Sequence, residues 1–257
     1  MRTIVTGAAS GIGRAVARRL ASDAARAGED LRIALLDIDA SGVDDLAREL
    51  GPGALAVQVD LGRDASLVQA VSTALDHLGG GLDGLVSNAG VISPAPLKDV
   101  RAEVWDRDFS INTRACLRLA QECYEALRGA RGSIVVTASV SGTHPTADVG
   151  AYCSNKAAVS MLARQIAREW GPDGIRCNVV SPGSTFTGMT RAGLEKPGVM
   201  ERRGAQVPLG RVGVPEDVAA VVAFLLGPDA AYVSGADIPV DGGWTAALMP
   251  KVSTVEA

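Results

Sequence analysis

Ile4-Val5-Thr6-Gly7-Ala8-Ala9-Ser10-Gly11-Ile12-Gly13 opens the chain with a short apolar strand that runs straight into a glycine-rich turn. At a junction of strand and helix, missing side chains permit a tight turn and let the helix start come close to a pyrophosphate. The first unpaired helix amides then receive phosphate oxygens. A glycine-rich turn alone is often only a turn; its place directly behind Ile4-Val5-Thr6 makes Gly7, Ser10, Gly11, Ile12 and Gly13 candidate dinucleotide contacts.

Working outward, the pattern repeats. Ile33-Ala34-Leu35-Leu36 ends at Asp37, Ala54-Leu55-Ala56-Val57 leads to Asp60, and Leu82 to Val86 and Ser133 to Thr137 are further apolar runs that emerge into polar or glycine-rich sequence. Between them lie helix-length stretches, Gly13 to Arg26, Ala65 to Leu78 and Val104 to Leu127. Such alternation predicts an α/β fold, a parallel sheet covered on both faces. Ala21 to Asp30 reads as an extra turn plus a surface insertion. Gly79-Gly80-Gly81 and Gly129 to Gly132 read as turns, not linkers, and residues 1–257 as a single domain.

From Pro182 to Gly213 the alternation fails, and a long irregular stretch of this kind suggests a substrate lid over 184–213. Pro215-Glu216-Asp217 starts a helix, and Ala236 to Val240 is the last strand, at an edge or locally irregular in its pairing because Pro239 lacks a backbone donor.

Composition narrows the function classes. Of 257 residues, 47% are hydrophobic and 21% charged, which suits a buried core, not disorder. The 25 basic residues are scattered among 29 acidic ones for a net charge of -4, so no stripe tracks nucleic acid phosphates. The first strand starts at once, without an export leader, and the richest apolar run, Val218 to Leu226, is far shorter than a membrane span. A cytoplasmic protein is expected. Cys116, Cys123, Cys153 and Cys177 show no metal-ligand pairing, and only His77 and His144 are available beside them, so no metal is expected.

Asp37 at the end of the second strand is placed to accept both ribose hydroxyls of NAD and to repel the extra phosphate of NADP. Ile38-Asp39 follows it and supplies no compensating cation. Asp60, followed by Leu61, either accepts from the adenine amino group or caps the helix near Ala65. Asn88-Ala89-Gly90 behind the fourth strand is small enough to line a cofactor cleft.

Tyr152 and Lys156 stand one helical turn apart in AYCSNKAAV, thirteen residues after Ser139. A free phenol has a pKa of about 10, and a nearby ammonium favours the phenolate. Tyr152 can therefore exchange a proton with an alcohol oxygen that Ser139 holds by a hydrogen bond.

With these residues in view, Thr6 to Gly243 resembles a classical short-chain dehydrogenase/reductase. The glycine-rich turn, Asp60, Asn88-Ala89-Gly90, Asn112, Ser139, Tyr152, Lys156 and Pro182-Gly183 all match that pattern. The resemblance implies a Rossmann-type sheet of seven strands and a homo-oligomer, with a tetramer favoured over a dimer. It implies an NAD-dependent enzyme interconverting a secondary alcohol and a ketone, in which Asn112 positions a water linked to Lys156. Pro182 and Gly183 turn the chain toward the nicotinamide, with Thr187 and secondarily Thr185 as further cofactor contacts. Two departures are mild: Ser87 precedes Asn88 where the family often has asparagine, and Asn155 replaces a common small residue.

For the substrate, Ser139, His144, Val149, Tyr152 and Met189 are the candidate contacts, with Ile92, Ser93 and, from the lid, Arg191 in reserve. Gly142-Thr143-His144-Pro145 and Val180 to Thr185 resemble strings of a subgroup that oxidises cyclic dihydrodiols, which implies a cyclic alcohol. Oxoacyl, sugar and steroid reductases remain open, as does a non-catalytic dinucleotide-binding regulator.

Overall fold

A computed structural model describes residues 1–247; the last part of the 1–257 domain expectation lies outside the described residues. The strands are β1 (Arg2–Thr6), β2 (Arg32–Asp37), β3 (Ala54–Gln58), β4 (Gly84–Ser87), β5 (Ser133–Thr137), β6 (Arg176–Pro182) and β7 (Asp237–Val240). They form one parallel sheet in the order β3-β2-β1-β4-β5-β6-β7.

Strand alternation feeds two cores. Ile4, Ala34, Leu36, Leu85, Ile134 and Val136 point to one face, where they pack against α3 (Asp64–His77), α5 (Ala115–Glu122) and α7 (Tyr152–Trp170), numbered with α4 (Ala102–Phe109) and α6 (Tyr124–Ala130) in chain order. Val5, Ile33, Leu35, Val86, Val135 and Val180 point to the other. There they meet α1 (Gly11–Ala27), α2 (Ala40–Leu50) and α10 (Pro215–Leu226). The near-continuous apolar strands are thus explained by burial on both sides.

The chain leaves β1 in one direction for β2 and β3, then returns to place β4 on the other side of β1. This reversal opens a crevice at the carboxyl ends of β1 and β4, the place where doubly wound sheets hold ligands.

Several local expectations change. Over Ala21 to Asp30 the expected extra turn is the end of α1, which runs to Ala27, and Gly28, at φ 67°, closes it by donating to the carbonyls of Ala24 and Ala25; only a short loop follows, so the surface insertion is not there. The single helix expected over Val104 to Leu127 is broken by a π turn at Ser110–Arg114 and again at Cys123, between α5 and α6. Within the irregular stretch before α10 lie two short helices, α8 (Gly188–Leu194) and α9 (Val199–Ala205). Pro239 does sit on an edge strand, since β7 pairs only with β6. No helix among the described residues is long and apolar enough to cross a membrane.

Candidate active site

The crevice forms a cleft of about 320 Å³ that runs from the end of β2 to the start of α7. At its centre, the hydroxyl of Thr6 accepts from the amides of Asn88 (3.0 Å) and Ala89 (3.1 Å), joining the ends of β1 and β4. Asn88 Nδ2 donates to the carbonyl of Thr6 at 3.0 Å. Gly7, at φ 66°, passes so close that a Cβ there would lie 2.8 Å from Asn88 Nδ2. Only glycine satisfies both the conformation and the approach.

Ser10 precedes α1 without capping it through its side chain, so the first-turn amides of the helix, beside cleft-lining Gly11 and Ile12, have no side-chain acceptor. Gly13 does not line the cleft. A Cβ on it would stand 2.1 Å from the carbonyl oxygen of Gly7, so its service to the site is packing the helix against the turn. Gly13→Ala is expected to destabilise the fold by about 3 kcal/mol, read as a lower denaturation midpoint in urea; an unchanged midpoint would remove this role.

Asp37 lines the far end, its carboxylate accepting from the amides of Ala9 (2.9 Å) and Asp39 (3.1 Å). Those bonds orient it, and it has no cationic partner among the described residues. Asp39 instead caps α2 by accepting from Gly42 N at 3.1 Å. Asp60 and Leu61 line the same end, with Ala89 and Gly90 nearer the middle. Asp60 accepts from the amide of Gly62 at 2.9 Å, and Arg63, not Asp60, precedes α3, so the capping alternative for Asp60 is wrong. The short turn between Asp60 and Asp64 engages one oxygen of the carboxylate before the helix begins.

At the other end, Ser139 follows β5 and its hydroxyl accepts from Ser141 N at 3.1 Å. Tyr152 is the first residue of α7 and half-buried. Lys156 is buried; its Nζ donates to the carbonyl of Thr137 at 2.8 Å and lies 5.6 Å from the centre of the Tyr152 ring. Burial pulls the Lys156 ammonium down to about 8. Burial also pushes the Tyr152 phenol up, while a hydrogen bond with Ser139 pulls it back. In the free protein, then, burial dominates the Tyr152 phenol and the Ser139 hydrogen bond only partly opposes it.

Asn112 sits in the π turn and is buried behind the cleft. Its Oδ1 accepts from Val91 N (2.8 Å) and its Nδ2 donates to Val91 O (2.9 Å). A Cβ on Gly90 would be 2.9 Å from Asn112 Oδ1 and 3.5 Å from Lys156 Nζ, so the two side chains flank one glycine. Asn155 is fully buried, and neither of its side-chain polar atoms has a partner among the described residues.

Pro182, Gly183, Thr185, Thr187 and Met189 all line the cleft. Thr187 caps α8, Thr190 Oγ1 donates to the carbonyl of Thr185 at 2.6 Å, and Met189 is left 48% exposed at the mouth. His144 and Val149 do not line it; the His144 ring is 3.0 Å from Thr143 Oγ1. Arg191 is turned away, stacked on Phe186 and paired with Glu195 at 3.1 Å. Ser93 Oγ accepts from Arg107 at 2.9 Å.

Ile38, Val91, Ile111 and Thr190 also line the cleft, although motif reading passes over them. The first three each adjoin a motif residue, Asp37, Gly90 or Asn112, and that adjacency was the available signal.

A crevice at the topological switch point with serine, tyrosine and lysine at one end has the layout of an oxidoreductase site of the Rossmann class. A family model described as enoyl-(acyl carrier protein) reductase matches residues 7–245. The chain is 33% identical over 246 residues to a 2,5-dichloro-2,5-cyclohexadiene-1,4-diol dehydrogenase of Sphingobium indicum, covering 94% of this chain and 95% of that one. It superposes on levodione reductase with a TM-score of 0.87 at 30% identity, covering 95% of this chain and 97% of that chain. For a 3-ketoacyl-(acyl-carrier-protein) reductase from Brucella melitensis complexed with NADH the values are 0.85, 29%, 95% and 97%. The chain belongs to the classical short-chain dehydrogenase/reductase family, oxidoreductases that act on alcohol and ketone substrates.

Proposed function

We propose that this protein is an NAD(H)-preferring dehydrogenase/reductase for a neutral secondary alcohol and its ketone, with cyclic alcohols and dihydrodiols as the favoured class. The observation that carries the reading is the meeting of Ser139, Tyr152 and Lys156 in a single cleft whose other end is Asp37. The close glycine approach at Gly7 and the unpartnered first turn of α1 fit a pyrophosphate, and the oriented carboxylate of Asp37 fits a ribose diol. Bound NAD(H) supplies the hydride acceptor or donor.

The chain's own residues handle the proton. Ser139 holds the substrate oxygen beside Tyr152, whose phenol gives its proton to that oxygen in reduction and takes it back in oxidation. Lys156 lies beneath the ring, and Asn112 across Gly90 continues the proton path away from substrate. Thr185 and Thr187 hold the cofactor from the side of the 184–213 segment, which we read as a lid anchored by α8.

Lys156 is the one cationic side chain among the described residues lining the cleft, and the mouth adds Val91, Met189 and Thr190, which supports an uncharged substrate. The similarity to a cyclohexadienediol dehydrogenase supports the cyclic class. Large apolar side chains left exposed on α4 (Phe109), α7 (Met161) and α10 (Phe224) support self-association, for which we favour a homotetramer. The direct test is an NAD-coupled screen of cyclic dihydrodiols, simple secondary alcohols, sugars, hydroxysteroids and oxoacyl thioesters. Turnover confined to acyl thioesters would overturn the substrate class, and NAD binding without hydride exchange on any of them would favour the regulatory alternative.

Cofactor choice has its own test. Replacing Asp37 by Ala and Ile38 by Arg removes the repelling carboxylate and adds a phosphate partner. The ratio of kcat/KM with NADPH to that with NADH should rise by about 100-fold. A wild-type protein already more efficient with NADPH on the same ketone would sink the NAD assignment.

A further inference from the structure

A π turn is rare and interrupts the ordinary helical ladder, so the side chains it carries depend on contacts outside its own helix. Besides those of Arg114 with Asp64 and the carbonyl of Gly62, the turn Ser110–Arg114 has two such contacts. One is the paired hydrogen bonds of Asn112 with the backbone of Val91, at 2.8 and 2.9 Å. The other runs the opposite way: Thr113 Oγ1 donates to the carbonyl of Asn155 at 3.1 Å, between two buried residues. Asn155 precedes Lys156, whose Nζ is itself fastened to Thr137 O at 2.8 Å. Asn112 Oδ1 and Lys156 Nζ face each other across Gly90. The Thr113 hydroxyl therefore joins the element that carries Asn112 to the element that carries Tyr152 and Lys156.

We infer that Thr113 is a positioning residue for proton transfer, its hydroxyl tying the π turn to α7 and so setting Asn112 against Lys156. The inference rests on the alcohol and ketone chemistry proposed above. Valine matches threonine in shape but donates nothing, so Thr113→Val cuts the tie without opening a cavity; serine keeps the donor.

The experiment is a double-mutant cycle with Asn112→Ala, read in kcat under chemistry-limited conditions, together with amide hydrogen exchange. Thr113→Val should lower kcat by about tenfold, the worth of one hydrogen bond, while leaving the NADH dissociation constant unchanged. Thr113→Ser should recover kcat to within about twofold. In the Asn112→Ala background the valine substitution should add less than about twofold. Exchange at the amides of 111–115 should quicken in the valine variant and not in the serine variant. Full additivity with Asn112→Ala, an unchanged kcat in Thr113→Val, or a serine variant as slow as the valine one would overturn the inference. Thr113→Ala carries the same cycle if the valine variant does not fold. The exchange arm needs no turnover, so an inactive wild type would count against the proposed function while the tie is still measured.

Discussion

Tyr152→Phe is expected to lower kcat by about 1,000-fold while the NADH dissociation constant stays close to that of the wild type. The substitution keeps the ring that packs at the start of α7 and over Lys156 and removes only the transferable proton. General acid or base catalysis by one positioned group is worth about 100- to 10,000-fold. The loss should fall on kcat and kcat/KM alike, as it does when an interaction belongs to the transition state. Single-turnover reduction of a substrate found in the screen, with NADH titrated separately by fluorescence, measures both quantities. A phenylalanine variant with near-normal kcat would show that another group delivers the proton.

Lys156→Ala should damage two properties at once, lowering kcat/KM by about 100-fold or more and weakening NADH binding, because the ammonium lies in the cleft beside the Tyr152 ring, where the proposed cofactor would run. The same residue shapes stability in the free protein. Its pKa is about 8 in the fold against 10.5 in water, because burial penalises the charge. Between those values the unfolded chain holds more protons than the folded one, so stability rises with pH through that window, and the full penalty is present below about 8. Relative to Lys156→Met, which has nothing to titrate there, the cofactor-free wild type should gain about 3 kcal/mol of unfolding free energy from pH 8 to 10.5. Urea denaturation of both proteins across that range tests it. A constant difference would mean that the Thr137 carbonyl fully offsets the loss of water around the ammonium.

What lay within reach of the amino-acid string was chemistry set by short spacings. The strand, turn and helix from Ile4 to Ala27 form from adjacent residues, and the four-residue step from Tyr152 to Lys156 places both on one face of α7 wherever the helix goes. Asp37 was legible because a strand ends beside it. Ser139, Tyr152, Lys156 and the glycine-rich turn duly meet in one cleft, a convergence that parallel strands of matched length bring about at their carboxyl ends.

Contacts between distant segments decided the rest. The π turn replaced a continuous helix because Asn112 pairs with the backbone of Val91 and Thr113 with that of Asn155, and no local propensity encodes either partner. Gly13 looked like a phosphate glycine, yet the carbonyl of Gly7 folded back over the helix start made it a packing glycine. His144 and Val149 lie between Ser139 and Tyr152 in the chain but outside the cleft lining, since sequence proximity does not set the direction of a loop. The balance between Lys156 and Tyr152 likewise depended on how much water the folded sheet excludes from each. Periodicity and spacing act within one element, and they determined the sheet, the glycine-rich turn and the pairing of Tyr152 with Lys156; burial and tethering act between elements, and they exist only once the chain has closed.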